Sequence, residues 1–380
     1  MQPHDPTRRE FLRNSTAAAL SLPLLPRLPL RLPGRTKHVV VVAFAGGVRA
    51  KDCIGTPANV PNLMRIAKQG VTMPNVRCRN VGHYGAALSI FTGNVEVMGI
   101  RDDQRGLNPT VFEYLRKDGG LQQSDLWLST ANGAQGRLFA HSDHPDYGAA
   151  QGANVLDGDG LFNVEFQKVL QSFGKPKADG AADQKLVETL GNALERERTA
   201  VQAGDPAAVR RIEKFILEEL TGATSRVTGP GAGDAKAIRV GLNLMRVFKP
   251  RVLGIALQNA DVAHGSYNAY VEVIRRNDEE LGKLWDGIQA DPDLKDVTTL
   301  IVLPEFGRDR DLNQRNGLDH GDDSDELKKV FLVAAGPDTA RDKVVRTEVA
   351  THDVCPTVLA MFTKAPGRHV SGKPIRELLG

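Results

Sequence analysis

Apolar and polar positions divide the chain into short apolar runs closed by glycine, proline or polar residues, and longer stretches of helical spacing. His38–Phe44 (HVVVVAF), apolar after its opening histidine, and Thr298–Leu303 (TTLIVL) have the β-branched, uninterrupted character of strands buried on both faces. Val71–Arg77, Leu126–Thr130, Arg251–Gln258 and Val330–Pro337 predict four further strands. Between them, Thr56–Gly70 reads as a capped helix with Leu63, Ile66 and Ala67 on one face and Gly70 as its stop. A second helix is expected to start near Gly85. Ala235–Phe248 and Ser266–Ile288 carry the spacing of amphipathic helices, and Thr351–Leu359 predicts a closing helix with Asp353 at its N-cap and Pro356 in its first turn. Strands alternating with helices in this way predict an α/β fold, a mainly parallel sheet sandwiched between helices.

One region departs from that alternation. Residues 161–174 and 181–222 are helix-rich, with charges of both signs and apolar spacing at Val209, Ile212, Ile216 and Leu220. With the Gly/Pro linker at 225–234 they predict a helical insertion at about 160–235, packed on one side and without evident chemistry.

Composition narrows the class. With 380 residues, 41% hydrophobic and 25% charged, the chain can bury one large α/β core with an insertion, or two domains. A net charge of +3, no dense Lys/Arg block and only 5% aromatic residues argue against nucleic acid as a partner. After residue 36 nothing reaches the length of an apolar membrane span. Before it, Thr7-Arg8-Arg9-Glu10-Phe11-Leu12-Arg13, the apolar stretch Ala17–Leu25 and a Pro/Arg-rich run to Arg35 resemble a twin-arginine export signal. The expected organisation is therefore a signal and linker over residues 1–36 and an α/β domain over 37–380, with a periplasmic or extracellular destination. Three cysteines, Cys53, Cys78 and Cys355, cannot all pair; Cys53 and Cys78 could form a disulfide after export, and buried free thiols are the equal alternative.

Candidate chemistry sits beyond the strand ends, where open α/β sheets collect their ligands. Thr298–Leu303 runs into Pro304-Glu305-Phe306-Gly307-Arg308 and a polar loop ending Gly317-Leu318-Asp319-His320; Arg251–Gln258 runs into Asp261-Val262-Ala263-His264. An Asp oxygen with imidazole nitrogens suits Zn²⁺ or Mn²⁺. The structural alternatives are Asp261 as a helix cap, Glu305 as a solvated loop acid, and His264 and His320 as loop residues. Arg308 could neutralise a substrate anion or simply pair with Asp309 or Asp319. His141 and His144 with Asp143 and Asp146 form a second polar cluster, of a composition that seldom binds metal.

The succession of strand, Glu305-Phe306-Gly307-Arg308, Asn313 and Gly317-Leu318-Asp319-His320 resembles the alkaline phosphatase/sulfatase superfamily, and most of all its exported DUF1501-like branch. The likeness covers about residues 37–100 and 250–378 and includes the helix at Thr56–Gly70 and the close at Gly372-Lys373-Pro374-Ile375. It implies an alkaline phosphatase-like fold with metal ligands Asp261, His264, Glu305 and His320. In better-known members the strand at 298–303 ends in Asp-His-Gly, both side chains binding metal; here Glu305 and Phe306 stand there. The first strand of such proteins ends in a ligand Asp, where this chain has Ala45 and Gly46. Their hydroxyl nucleophile falls near His83, which becomes a candidate ligand, base or nucleophile, or a cap of the following helix; Ser89 and Thr92 lie within that helix. The resemblance thus implies one divalent ion, zinc or manganese, rather than two, in a hydrolase of small anionic phosphate or sulfate esters. The alternative is a binding or accessory protein that keeps the fold without catalysis.

Overall fold

The structure, a computed structural model, describes residues 34–97, 104–131, 133–157, 207, 227–364 and 367–380. The expected export signal, and the expected insertion up to residue 226 apart from Ala207, lie outside the described residues.

The strands form where the apolar runs predict them: β1 (His38–Phe44), β2 (Val71–Arg77), β3 (Leu126–Thr130), β4 (Asn154–Asp157), β5 (Val252–Ala256), β6 (Thr298–Pro304) and β7 (Lys329–Ala335), with the two-residue β8 (Lys343–Val344) and β9 (Val349–Ala350) at one edge. They build one sheet in the order β4-β3-β5-β1-β6-β7-β2-β8, with β9 also paired to β2. β4, β3, β5, β1 and β6 are mutually parallel; β7 runs antiparallel to both β6 and β2. Two reversals return β2 to the direction of β1. The carboxyl ends of β1, β2, β5 and β6 therefore face the same way. This mainly parallel sheet flanked by helices is the expected fold.

Burial on both faces explains the unbroken apolar composition of β1 and β6. Val40, Val42 and Phe44 face a core shared with Leu63 and Ile66 of α1 (Pro61–Ala67). Val39, Val41 and Ala43 face a second core, with Ile90 and Phe91 of α2 (His83–Thr92), Phe112 of α3 (Val111–Lys117) and Phe139 of α4 (Gly133–Ala140). The first core also takes α5 (Ala232–Val247) and α6 (Tyr267–Ala290); the second takes the closing helix α7 (Val354–Phe362). Phe91 stacks on Phe112 and Phe139 at ring-centroid distances of 5.8 and 5.7 Å, which ties α2 to α3 and α4.

The helices differ from expectation mainly at their ends. Thr56–Gly70 is a 3₁₀ turn (Pro57–Asn59) followed by α1, because Pro61 has no N–H to donate and opens the helix instead of continuing one. Asp278 of α6 accepts from the backbone N–H groups of Asn62 and Leu63, supplying the cap that α1 lacks locally. Asp353 does not cap α7 through its side chain. Its carboxylate accepts from the N–H groups of Ala350 and Lys373, bracing the turn before the helix and the chain's last segment. Cys53, Cys78 and Cys355 are all buried free thiols. Among the described residues no helix is long and apolar enough to cross a membrane.

Candidate metal centre

Four strand ends contribute to one site. β1 delivers Gly46, the turn after β2 delivers His83 at the start of α2, a 3₁₀ turn after β5 (Asn259–His264) carries Asp261 and His264, and β6 runs into Glu305 and Arg308. The loop that follows returns His320. His83, Asp261, His264 and His320 each offer a ligand atom, and these atoms all lie within 4.8 Å of one another.

Two of the histidines are oriented from behind. His83 Nδ1 lies 2.7 Å from Glu305 Oε1, and His264 Nδ1 lies 2.5 Å from Asp319 Oδ1. A carboxylate on Nδ1 fixes the ring and turns Nε2 forward, the arrangement that supports metal-ligating imidazoles. Both Nε2 atoms approach the same oxygen, Asp261 Oδ1, at 2.9 Å from His83 and 3.4 Å from His264. The buried His83 Nε2, close to this carboxylate, has no hydrogen-bond partner. Glu305 Oε2, also buried, has none either. His320 joins the group through its ring, with centroids 4.8 Å from His83 and 5.0 Å from His264.

Glu305 stands one step back from this cluster. It is fully buried, and its Oε1 is committed to the backbone N–H of Gly46 at 2.7 Å as well as to His83. His83 takes the place beside Asp261 that the sequence suggested for Glu305. Phe306, fully buried between His83 and His320 at centroid distances of 4.9 and 5.3 Å, supplies a wall and no donor.

Arg308 is fully buried, and its guanidinium donates in every direction. Nε reaches Gly46 O at 3.2 Å, one terminal nitrogen reaches His264 Nε2 at 3.0 Å and Leu318 O at 3.1 Å, and the other reaches Gly46 O at 2.5 Å and Asp261 Oδ1 at 2.6 Å. A guanidinium has five N–H groups, and all five are used. None remains for a substrate anion, and its carboxylate partner is Asp261 in place of Asp309 or Asp319.

The end of β1 shows why no carboxylate could serve there. Gly46 has φ +92°, and a Cβ on it would lie 2.4 Å from Gln258 O and 2.6 Å from Asp261 N. The Ala45 side chain, 1% exposed, belongs to the apolar core on the α2 side of the sheet. Asp52 pairs with Arg49 at 2.6 Å, and Arg49 in turn donates to the carbonyls of Asp309 and Arg310, holding the loop that leads to His320.

Protonation follows from these contacts. Burial works against charge on His83, but the two carboxylates beside its ring, Asp261 and Glu305, outweigh it and raise its pKa to about 9. Burial likewise opposes charge on Asp261, and His83 and Arg308 overcome it, holding the carboxyl well below the usual range. His320, desolvated and facing His83, Arg308 and His264, drops to about 4 and is a neutral imidazole at neutral pH.

Other candidates lie elsewhere. Ser89 is buried and donates to Gly85 O, and Thr92 is buried inside α2; neither faces the cluster as a free hydroxyl. His144 packs against Tyr147 and His369 and accepts from the N–H of Asp146 through Nδ1, and His141 contacts Ser142 O; among the described residues they form no further ligand group. Asp319 and Asn313 belong to the motif, but the sequence assigned neither a role in orienting His264. Asn313 donates to His264 O and accepts from Gly317 N–H, closing the loop; the signal for Asp319 was its place immediately before His320.

The cluster has the donors that a divalent ion takes. The unpartnered His83 Nε2, the neutral His320 and the converging Asp261 oxygen are donors of the kind zinc and manganese take, and the two Nδ1-bound carboxylates complete the support.

No protein-family profile matches the sequence, and no curated protein matches it. Solved structures do. The wild-type alkaline phosphatase PafA aligns with a TM-score of 0.57 at 10% identity, covering 91% of this chain and 99% of that one. A candidate sulfatase from Bacteroides thetaiotaomicron aligns at 0.55 and 10% identity, covering 91% and 74%. Ps i-CgsB aligns at 0.52 and 12% identity, covering 89% and 75%. The chain has the alkaline phosphatase-like fold, and the structures it resembles include a phosphatase and a candidate sulfatase.

Proposed function

We propose that this protein is an exported, metal-dependent hydrolase of phosphate or sulfate esters whose site holds a single divalent ion, zinc or manganese. The observation that carries the reading is the convergence of His83, Asp261, His264 and His320 within 4.8 Å, at the carboxyl ends of the central strands. A divalent ion there supplies Lewis acidity, stabilising negative charge on the ester oxygens. The chain's own residues do the rest. Glu305 and Asp319 aim the imidazoles, Phe306 excludes water from one side, and His83 and Asp261 face each other as ligands. His83, held through Nδ1 with Nε2 turned toward Asp261, serves in this reading as a ligand and not as a covalent nucleophile, so water attacks the ester. The fold and the motif from Glu305 to His320 favour the DUF1501-like branch of the superfamily, and Arg8-Arg9 with Phe11-Leu12 favours the twin-arginine route to the periplasm.

A second reading has its own support: a protein that keeps the fold and binds without catalysis. Arg308 already occupies Asp261 Oδ1 and His264 Nε2, and the hydroxyls of Ser89 and Thr92 are buried in α2. A screen of aryl phosphates, phosphodiesters and sulfate esters with zinc- and manganese-loaded protein separates the two. Turnover that disappears in Asp261→Ala supports the hydrolase. No turnover by a metal-loaded wild type supports the binding protein.

A further inference from the structure

We infer that the Arg308 guanidinium occupies a cation position in the site and competes with a divalent ion for Asp261 Oδ1 and His264 Nε2. The inference rests on the site taking a divalent ion, as proposed above, and adds what limits that binding.

The acceptors around Arg308 are the kind a metal cation gathers. They are the carbonyl oxygens of Gly46 and Leu318, the carboxylate oxygen of Asp261 and the imidazole nitrogen of His264, contributed by three strand-end segments around a guanidinium that is itself fully buried, while Asp261 and His264 remain partly exposed. Two of these four belong to the ligand cluster itself. The conflict is sharpest at His264. Its Nδ1, 2.5 Å from the Asp319 carboxylate, is the protonated nitrogen, so Nε2 carries the one lone pair. That lone pair accepts the Arg308 N–H at 3.0 Å or bonds an ion, and cannot do both. Asp261 Oδ1 has room for two partners, but a guanidinium 2.6 Å away weakens its attraction for a second positive charge.

Arg308 thereby does two things through other residues. It ties the ends of β1, β5 and β6 together without a metal, and it holds the affinity for a divalent ion below what the four ligands alone would give. It is a positioning residue: it touches the ligands and, having no free N–H, not the substrate.

The test is calorimetric titration of zinc or manganese chloride into the chelator-stripped full chain, comparing wild type, Arg308→Gln and Arg308→Lys, with folding checked by circular dichroism. Arg308→Gln removes the charge and is expected to bind the ion at least tenfold tighter than wild type. Arg308→Lys keeps the charge and is expected to stay close to wild type, an outcome that a general loosening of the site would not produce. A folded Arg308→Gln that binds no tighter than wild type overturns the inference, and if wild type still binds, the metal reading stands without it. Binding by Arg308→Gln but not by wild type upholds the inference and removes the metal-dependent hydrolase reading. No binding by either overturns both. If Arg308→Gln does not fold, ¹⁵N spectra of the wild-type histidines decide. Metal addition is expected to shift His264 Nε2 to a metal-bound value and release the Arg308 N–H groups to exchange. Retention of the Arg308–His264 bond in the metal-loaded protein contradicts the competition.

Discussion

His83 and Glu305 are bound to each other at 2.7 Å through Nδ1 and Oε1, and the N–H of Gly46 holds the same oxygen at 2.7 Å. That one buried carboxylate links the ends of β1, β6 and the turn after β2, and it decides which nitrogen of His83 faces Asp261. Glu305→Gln keeps the shape and removes the charge that fixes the ring. Asp319→Asn does the same to His264. Each substitution is expected to lower divalent-ion affinity by about 10–100-fold, the usual effect of losing a carboxylate behind a metal-binding histidine. Titration calorimetry checks this, with a melting curve to show that the fold persists.

Gly46→Ala is expected to be more damaging than its size suggests. The added methyl meets two backbone atoms, Gln258 O at 2.4 Å and Asp261 N at 2.6 Å, in a left-handed conformation. Strain of this kind costs about 1–3 kcal/mol, before the displacement of Asp261 is counted. Urea unfolding should show the lost stability, and the variant should bind no ion even where it remains folded.

Stability of the chelator-stripped protein should depend on pH at both ends. His83 titrates at about 9 in the folded chain against 6.5 as a free side chain, so its contribution is complete below pH 6.5 and is lost as pH rises through 9. His320 is displaced the other way, to about 4 from 6.5; its contribution is present above pH 6.5 and is lost as pH falls through 4. Urea midpoints measured across this range should fall on both sides. His83→Gln should flatten the alkaline limb and leave the acid limb in place.

Phe91→Ala separates framework from site. Phe91 lies in the core between Phe112 and Phe139, and its loss should cost about 3–5 kcal/mol. Phe91 lies eight residues along α2 from His83, and the folded fraction should keep its ion affinity within a few-fold, read by calorimetry below the lowered melting temperature.

The sheet was legible because burial on both faces leaves a plain mark: HVVVVAF and TTLIVLP admit little besides central strands. Helix ends were less legible, since the cap of α1 comes from Asp278 on a distant helix and Pro61 resets the start. Asp261, His264 and His320 were found by their place beyond strand ends, and the geometry does bring them together. What the sequence could not convey was direction. Glu305 stands behind the cluster, one of its oxygens claimed by Gly46 N–H, and of the roles open to His83 the geometry favours that of ligand. For Arg308 the sequence left open a substrate anion or a pairing with Asp309 or Asp319, and only the fold shows it turned inward against Gly46, Leu318, Asp261 and His264.

The most direct test of a one-ion site is elemental analysis of the full chain purified without chelator from zinc- and manganese-supplemented medium, with Asp261→Ala beside it. The account predicts close to one equivalent of a single divalent metal in the wild type and a background level in the variant. Wild-type protein without metal, or a metal content unchanged by Asp261→Ala, would contradict it.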